Sequence, residues 1–453
     1  MKSVAVRLAA LATAALSVGA AGRHPSEILD ATPPGFNLQV AKATHPSHPS
    51  WGFNQHIQQT HNVQKIHGLQ GKTNSKSVAA VLGAYQRLSG LGFGYQNVTP
   101  TNAYGTQYAT DVLFNGHPLY LLVDTGSSDT WAVQTDYDCI DYASQSIPQA
   151  ACQFGPAYPD SFQYGAIEPA QHMFIRYGDG EMVAGPMGYS DVTLGNITVR
   201  RQEICLANTT YWFGNNMTSG LIGLAFPALT NAYLGPGLDH SRGSRIEYSP
   251  LFTSMVSQGK VPPVFSIALD RNSTGILAWG GIAPAVGMNT SMIANMDMII
   301  VDMIDRPEAS YDYSFYTIIP DGWEYDQTIN SKKYPFIVDS GTTLNYLPPS
   351  IAVAINQAFN PPAVYLWQYG AYFTQCDAIA PPIGVILDGI TFWFNPVDLI
   401  YRGWTDPSTS LCMTSIANGG AGPYILGDAF MQGAVVVYDV GQAKMRFIPR
   451  PYY

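Results

Sequence analysis

Charged side chains are scarce in this 453-residue chain: Asp, Glu, Lys and Arg make up 12% of it, against about 25% in ordinary soluble domains. That excludes a coiled coil and charge-driven disorder, and it leaves too little Ala-Glu-Lys surface for a helical bundle. Basic residues are the scarcer kind, 22 against 32 acidic for a formal charge of -10, which argues against nucleic acid or an anionic lipid surface as a partner. Histidine is thin as well, with only His117, His172 and His240 beyond residue 97 and no HExxH, so no metal and no cofactor are expected. No GxSxG elbow for a serine hydrolase occurs. The apolar run Leu8–Val18 falls short of the roughly 20 residues that span a bilayer, and no membrane association is expected.

What the chain has instead is 28 Tyr, 19 Phe, 43 Gly and 32 Pro, the mixture of pleated sheet and tight turns. An all-β protein is expected, and the length calls for two or three folded units of about 100 to 200 residues each. Lys2 and Arg7, the apolar run and the small residues Gly19 to Ala21 read as a signal peptide over 1–21. Residues 22–97 hold six of the nine His and six Lys or Arg against two acids, a formal +4; from residue 98 onward the chain carries 14 basic against 30 acidic residues, a formal -16. A basic leader held by charge on an acidic body would loosen as acid protonates the carboxylates. Sequons start at Asn97, Asn196, Asn208, Asn216, Asn272 and Asn289, possible glycan sites on a secreted chain. The five cysteines form two local pairs, Cys139 with Cys152 and Cys376 with Cys412. Cys205 is left over in an apolar run, where a buried inert thiol is expected.

The body repeats itself. Val123-Asp124-Thr125-Gly126-Ser127-Ser128 resembles Val338-Asp339-Ser340-Gly341-Thr342-Thr343, each entered by an apolar strand. Leu221-Ile222-Gly223 closes 99 residues after Asp124, and Ile425-Leu426-Gly427 closes 88 residues after Asp339. Matched motifs in matched order indicate a duplicated lobe. Alternation predicts strands at Tyr108–Phe114, Met173–Tyr177 and Val435–Tyr438, a hairpin turning on Gly195-Asn196, and short helices after Pro250 and over 350–359.

If a pseudo-twofold axis brings Asp124 and Asp339 together, both carboxyls cannot easily ionise and the pair holds one proton. One acid and one base then stand side by side in mild acid, ready to activate a water and to protonate a carbonyl oxygen. Gly126 and Gly341 permit close backbone approach, and Ser127 and Thr342 supply hydroxyls to the outer carboxylate oxygens.

VDTGSSDTW at 123–131, IRYGDG at 175–180, GLIGLAFP at 220–227, VDSGTTLNYLP at 338–348 and YILGDAFM at 424–431 together resemble the pepsin-like aspartic endopeptidases, particularly their secreted fungal members. The resemblance covers about residues 105 to 450. It implies a bilobal fold of two pseudo-twofold-related β lobes with a few short helices, divided as a propeptide over 22–100, a first lobe over 101–290 and a second over 291–453. It also implies a catalytic pair of Asp124 and Asp339. Tyr177, Gly178 and Asp179 become the tip of a flap over the substrate cleft, with the Trp131 indole steadying Tyr177. The Cys376–Cys412 pair falls where the family has its second-lobe disulfide. The implied activity is acid hydrolysis of peptide bonds between large apolar residues in protein or peptide substrates, by a monomer open to pepstatin-type inhibitors. The enzyme is made as a zymogen whose propeptide inhibits it in place, with Lys42, Lys65, Lys72 or Lys76 against the carboxyls, and it ends up secreted or, alternatively, in a vacuole. Asp179 implies tolerance of Lys before the scissile bond, and Glu181, in place of the family's frequent Ser, reads as a second anion there. The insertion between Trp131 and the flap is expected mainly to decorate the surface. A non-catalytic binding relative on the same fold would commonly have lost an Asp or the flap tyrosine, and this chain keeps all three.

Overall fold

The computed structural model describes residues 63–67, 94–237, 240–271, 273–285, 287–303 and 312–451. The signal peptide, most of the leader with Lys42, Lys72 and Lys76, and the sequon at Asn272 lie outside them. Strands dominate, and the α-helices are short: Leu251–Ser257, Pro349–Gln357 and Asp428–Met431. The first buries Leu251, Phe252, Met255 and Val256 on one stripe and stops at Gly259, whose φ of +68° suits a residue without Cβ. In the predicted hairpin Gly195 and Asn196 both have positive φ, 56° and 62°, the two-residue turn that matches strand twist. It sets Leu194 against Ile197 and Val192 against Val199.

The duplication is visible in a sheet that both halves build. At its centre Val264–Ala268 runs antiparallel to Ala434–Asp439, with Ser266 opposite Val437. Outward on one side come Gly275–Trp279 and Gly94–Pro100; on the other come Lys444–Pro449 and Ala294–Asp297. Each half thus contributes a hairpin from its end and one strand from its start. Phe265 and Tyr438, opposite each other in the central pair, stack with centroids 4.5 Å apart, and one apolar core runs through both halves around them.

Each Asp motif ends a strand flanked on both sides. His117–Asp124 lies parallel to Gly220–Gly223, with Ile222 opposite Val123 and Gly223 opposite Asp124; Phe336–Val338 lies parallel to Tyr424–Leu426, with Leu426 opposite Val338. Three of these strands, and the Leu121–Asp124 end of the other, are buried throughout, so they read as continuous apolar runs and not as alternation. The closing glycines are obligatory. A Cβ on Gly223 would sit 2.5 Å from the Ser128 carbonyl carbon, and one on Gly427 would sit 2.3 Å from the Thr342 oxygen. Disulfides join Cys139 to Cys152 and Cys376 to Cys412. Cys205 is buried opposite Trp131 in the neighbouring strand, and burial pushes its thiol well above the usual range.

Candidate active site

The two Asp loops meet on the pseudo-twofold axis, and both carboxyls are fully buried. Gly126 N–H donates to Asp124 Oδ1 at 2.7 Å, and the Ser127 hydroxyl donates to Oδ2. Gly341 N–H donates to Asp339 Oδ1 at 2.8 Å, and the Thr342 hydroxyl donates to Oδ2 at 2.6 Å. A Cβ on Gly126 would lie 2.6 Å from the Asp339 carboxyl carbon and from both its oxygens, so glycine there is what lets the second carboxyl come in. Burial first, and then the Asp339 charge, hold Asp124 well above the ordinary carboxylate range, against the pull of the Ser127 and Gly126 hydrogen bonds. Such a pair keeps one proton in mild acid and offers an acid beside a base.

Behind the carboxyls the loops clasp each other through residues that pattern reading left without a role. Thr125 Oγ1 donates to the Val338 oxygen at 3.1 Å and accepts from Ser340 N–H at 3.0 Å. Reciprocally, Ser340 Oγ donates to the Val123 oxygen at 2.9 Å and accepts from Thr125 N–H at 3.2 Å. The available signal was the shared slot: a small hydroxyl residue follows the Asp in both copies.

Over the pair lies the turn between the strands Gln171–Arg176 and Met182–Leu194. Tyr177 N–H donates to the Glu181 oxygen at 2.8 Å and Gly180 N–H to the Tyr177 oxygen at 3.0 Å, with Gly180 at φ +97°; Gly178 is buried within the turn. Trp131 Nε1 donates to the Tyr177 hydroxyl at 2.9 Å. Burial, with the Asp124 charge next, pushes the Tyr177 phenol well up, so it stays protonated. Trp131 is itself held by rings: Trp212 meets it edge-on at 5.1 Å and Phe154 at 6.0 Å, and Phe154 stacks on Trp212 at 5.7 Å. Phe154 belongs to the first-lobe insertion, which is tied on by Gly155 N–H to the Thr218 oxygen at 2.9 Å and Gly214 N–H to the Cys152 oxygen at 3.1 Å. The segment around Cys152 to Tyr158 therefore supports the flap's tryptophan, while most of the rest of the insertion is exposed on the surface.

Two acidic residues stand differently from their sequence reading. Asp179, partly exposed, lies within electrostatic reach of Tyr346 in the second lobe, across from the flap. Glu181 is fully buried. Its Oε1 accepts from Phe213 N–H at 2.6 Å at the root of the flap, so its carboxyl fastens the flap instead of adding a second anion for substrate. A third carboxyl, Asp428, follows the second apolar doublet and its glycine, and sequence reasoning assigned it nothing. It is fully buried, and neither oxygen has a hydrogen-bond partner among the described residues. Burial, then Asp339, then Asp124 push it well above the usual range. Groups of His, Cys, Asp and Glu able to hold a metal are absent among the described residues.

The Eukaryotic aspartyl protease family matches the chain over residues 107–449. A probable aspartic-type endopeptidase of Aspergillus fumigatus is 37% identical over 362 residues, covering 76% of this chain and 79% of that protein. An acid protease of Saccharomycopsis fibuligera is 24% identical over 390 residues, covering 85% and 91%, and aspergillopepsin-1 of Aspergillus fumigatus is 25% identical over 359 residues, covering 78% and 81%. Among solved structures, the aspartic proteinase from Irpex lacteus superposes with a TM-score of 0.59 at 18% identity, covering 80% of this chain and 98% of that one, a likeness of fold. With paired Asp loops under a flap, and with these relatives, the chain belongs to the eukaryotic aspartyl protease family and is a pepsin-like aspartic-type endopeptidase.

Proposed function

We propose that Asp124 and Asp339 are the catalytic pair and hydrolyse peptide bonds of protein substrates at acidic pH. The observation that carries this is the clasped, buried pair beneath Tyr177. The ionised carboxyl takes a proton from a water, whose oxygen bonds to the scissile carbonyl carbon; the protonated carboxyl gives its proton to the carbonyl oxygen. In the second step the carboxyl now protonated gives its proton to the amide nitrogen while its partner takes one from a hydroxyl of the tetrahedral diol, and the C–N bond breaks, leaving a carboxylic acid, an amine and a pair that again holds one proton. Ser127 and Thr342 keep the carboxyls aligned, Gly126 and Gly341 leave room, and Tyr177, Gly178 and Asp179 close over the substrate. Large apolar residues flank the preferred bond, and Asp179 permits Lys before it.

The zymogen reading has support in the leader. Val63–His67 pairs antiparallel with Ile300–Met303, Lys65 opposite Asp302 and Ile66 opposite Val301, the two forming a two-stranded sheet, so part of the leader pairs with the second half. Gly94–Pro100 is hydrogen-bonded between two strands of the body, which favours an excision point upstream of Gly94. The exposed asparagines of the five described sequons suit a secretory route, outward or to a vacuole, and the mature enzyme acts as a monomer.

The test is digestion of denatured haemoglobin between pH 2 and 8, with and without pepstatin, by acid-treated wild type and by Asp124→Asn. Cleavage confined to acid and abolished by both pepstatin and the substitution is expected. A folded, leader-free wild type that cleaves nothing would overturn the proposal.

A further inference from the structure

The first strand of the flap is hydrogen-bonded on both edges. On one side Gln171–Arg176 pairs with Met182–Leu194, its own partner in the flap. On the other it pairs with Ala232–Leu234, which sets Ala232 against Met173, Tyr233 against His172 and Leu234 against Gln171. Arg245–Ile246 pairs in turn with Ala232–Leu234, so two short strands form a strap along the flap's outer edge. Side chains fasten it. The His172 ring stacks on Tyr233 with centroids 5.7 Å apart, and its Nδ1–H donates to the Gly235 oxygen at 2.7 Å. Toward the tip, Phe174 N–H donates to the Asn231 oxygen at 3.2 Å.

The strap is itself tied to the Asp124 side of the molecule, through a carboxyl that the chemistry leaves without a task. Asp129 lies in the stretch between Ser127 and Trp131 and is fully buried. Its Oδ2 accepts from Asn231 Nδ2 at 2.7 Å, and its Oδ1 accepts from Asn231 N–H at 3.0 Å and from the Tyr248 hydroxyl at 2.7 Å. Asn231 stands just before the strap's first strand and Tyr248 just beyond its second, so one carboxyl holds both feet of the strap. The Arg245 guanidinium adds bonds to the Ala228 oxygen at 2.7 Å and the Thr230 oxygen at 2.9 Å. Ala232 and Tyr248 pack in the same apolar cluster as Trp131 and Tyr177. A joint of this kind is stiff, because a buried acceptor deprived of its donors is costly.

We propose that Asn231 and Tyr248 are positioning residues for the hydrolysis: through Asp129 they fix the root of the flap to the Asp124 loop, so that closure is a movement of residues 175–181 about a root already in place. A flap whose root wanders is in its closing position for only part of the time. Substrate affinity then falls by that fraction, while the complex, once closed, reacts as before. This role rests on the endopeptidase reading above.

The experiment compares wild type with Tyr248→Phe, Asn231→Ala and the double variant, which strip donors from Asp129 one at a time, and with Ile383→Ala, which opens a cavity in a strand of the second lobe. All are assayed as the acid-activated enzyme on one peptide. KM is expected to rise about threefold in each single strap variant and about tenfold in the double, with kcat held within about twofold. Ile383→Ala should do the opposite, lowering kcat per mole of protein at unchanged KM, since only the folded fraction works. Without substrate, amide hydrogen exchange over 175–181 should quicken in the strap variants relative to Ile383–Leu387, and pepstatin should slow it again. An unchanged KM in the double variant, a loss confined to kcat, or flap exchange no faster than in wild type would each overturn the positioning role. A folded wild type that cuts no peptide would overturn the endopeptidase reading, and flap exchange in the variants would then still decide whether the strap holds the flap.

Discussion

Around Asp124 and around Asp339 the same bonds recur, a backbone N–H on one carboxyl oxygen and a neighbouring hydroxyl on the other. Beyond that first ring of bonds the two halves part. Asp124 has Tyr177 and its Trp131 support above it, while the second half has no such flap over Asp339 among the described residues and instead carries Asp428. In the first half the residue after the closing glycine is Leu224; in the second it is Asp428. Duplication therefore produced two chemically equal acids, and whatever makes them unequal must come from their surroundings.

The sharpest test of that equality is to neutralise each acid in turn. Asp124→Asn and Asp339→Asn should each lower kcat by about 10⁴-fold, since acid and base functions fail together when the pair can no longer share a proton. Substantially unequal losses, measured on one acid-cleaved peptide, would break the comparison at its centre.

The clasp should be symmetric too. Thr125→Val and Ser340→Ala each strand a buried backbone N–H and carbonyl of the opposite loop. Each is expected to cost about 1 to 3 kcal/mol, read from denaturant unfolding of the mature enzyme. A loss in one variant alone would show that one lobe leans on the other.

Asp428 should separate the halves by pH. Asp124 and Asp428 both bind their protons more tightly folded than unfolded. Their contribution is thus fully present below the unfolded Asp value of about 3.9 and is lost as pH rises through the raised folded values. Wild type should melt at a lower temperature at pH 7 than at pH 4. Asp428→Asn should melt nearly as wild type does at pH 4 and roughly 3 to 6 °C above it at pH 7. An unchanged pH slope in the variant would mean that Asp428 is not a buried acid.

The smallest effect concerns the flap's two acidic residues. Glu181→Ser should leave the ratio of Lys to Leu cleavage before the scissile bond within about twofold, whereas Asp179→Ala should lower it. A ratio that follows Glu181 would place its carboxyl in the cleft after all.

These contrasts also mark what sequence reading reaches. The Asp loops, the apolar doublets with their glycines and the flap strands were legible because each is a local pattern with a local cause: burial on both faces, a turn, a backbone too close for a Cβ. The clasp was not, since Thr125 and Ser340 lie 215 residues apart and only the folded axis joins them. Glu181 was misread for a related reason. Its place beside the Gly-Asp-Gly turn puts it near the cleft in sequence, but its side chain turns inward to Phe213. The insertion likewise had no periodic signature of support; Phe154 acquires that role only through the rings of Trp131 and Trp212.

The central pairing of Val264–Ala268 with Ala434–Asp439 has a consequence for how activity arises during synthesis. Each half holds one acid, and the last strands of each half are what bring the acids together. A nascent or truncated chain lacking the 434–439 strand would own Asp124, the flap and even Asp339, yet lack the seam that aligns them. Proteolytic power is in this sense a readout of completion, because it appears only once both ends of the duplicated body have been made and joined.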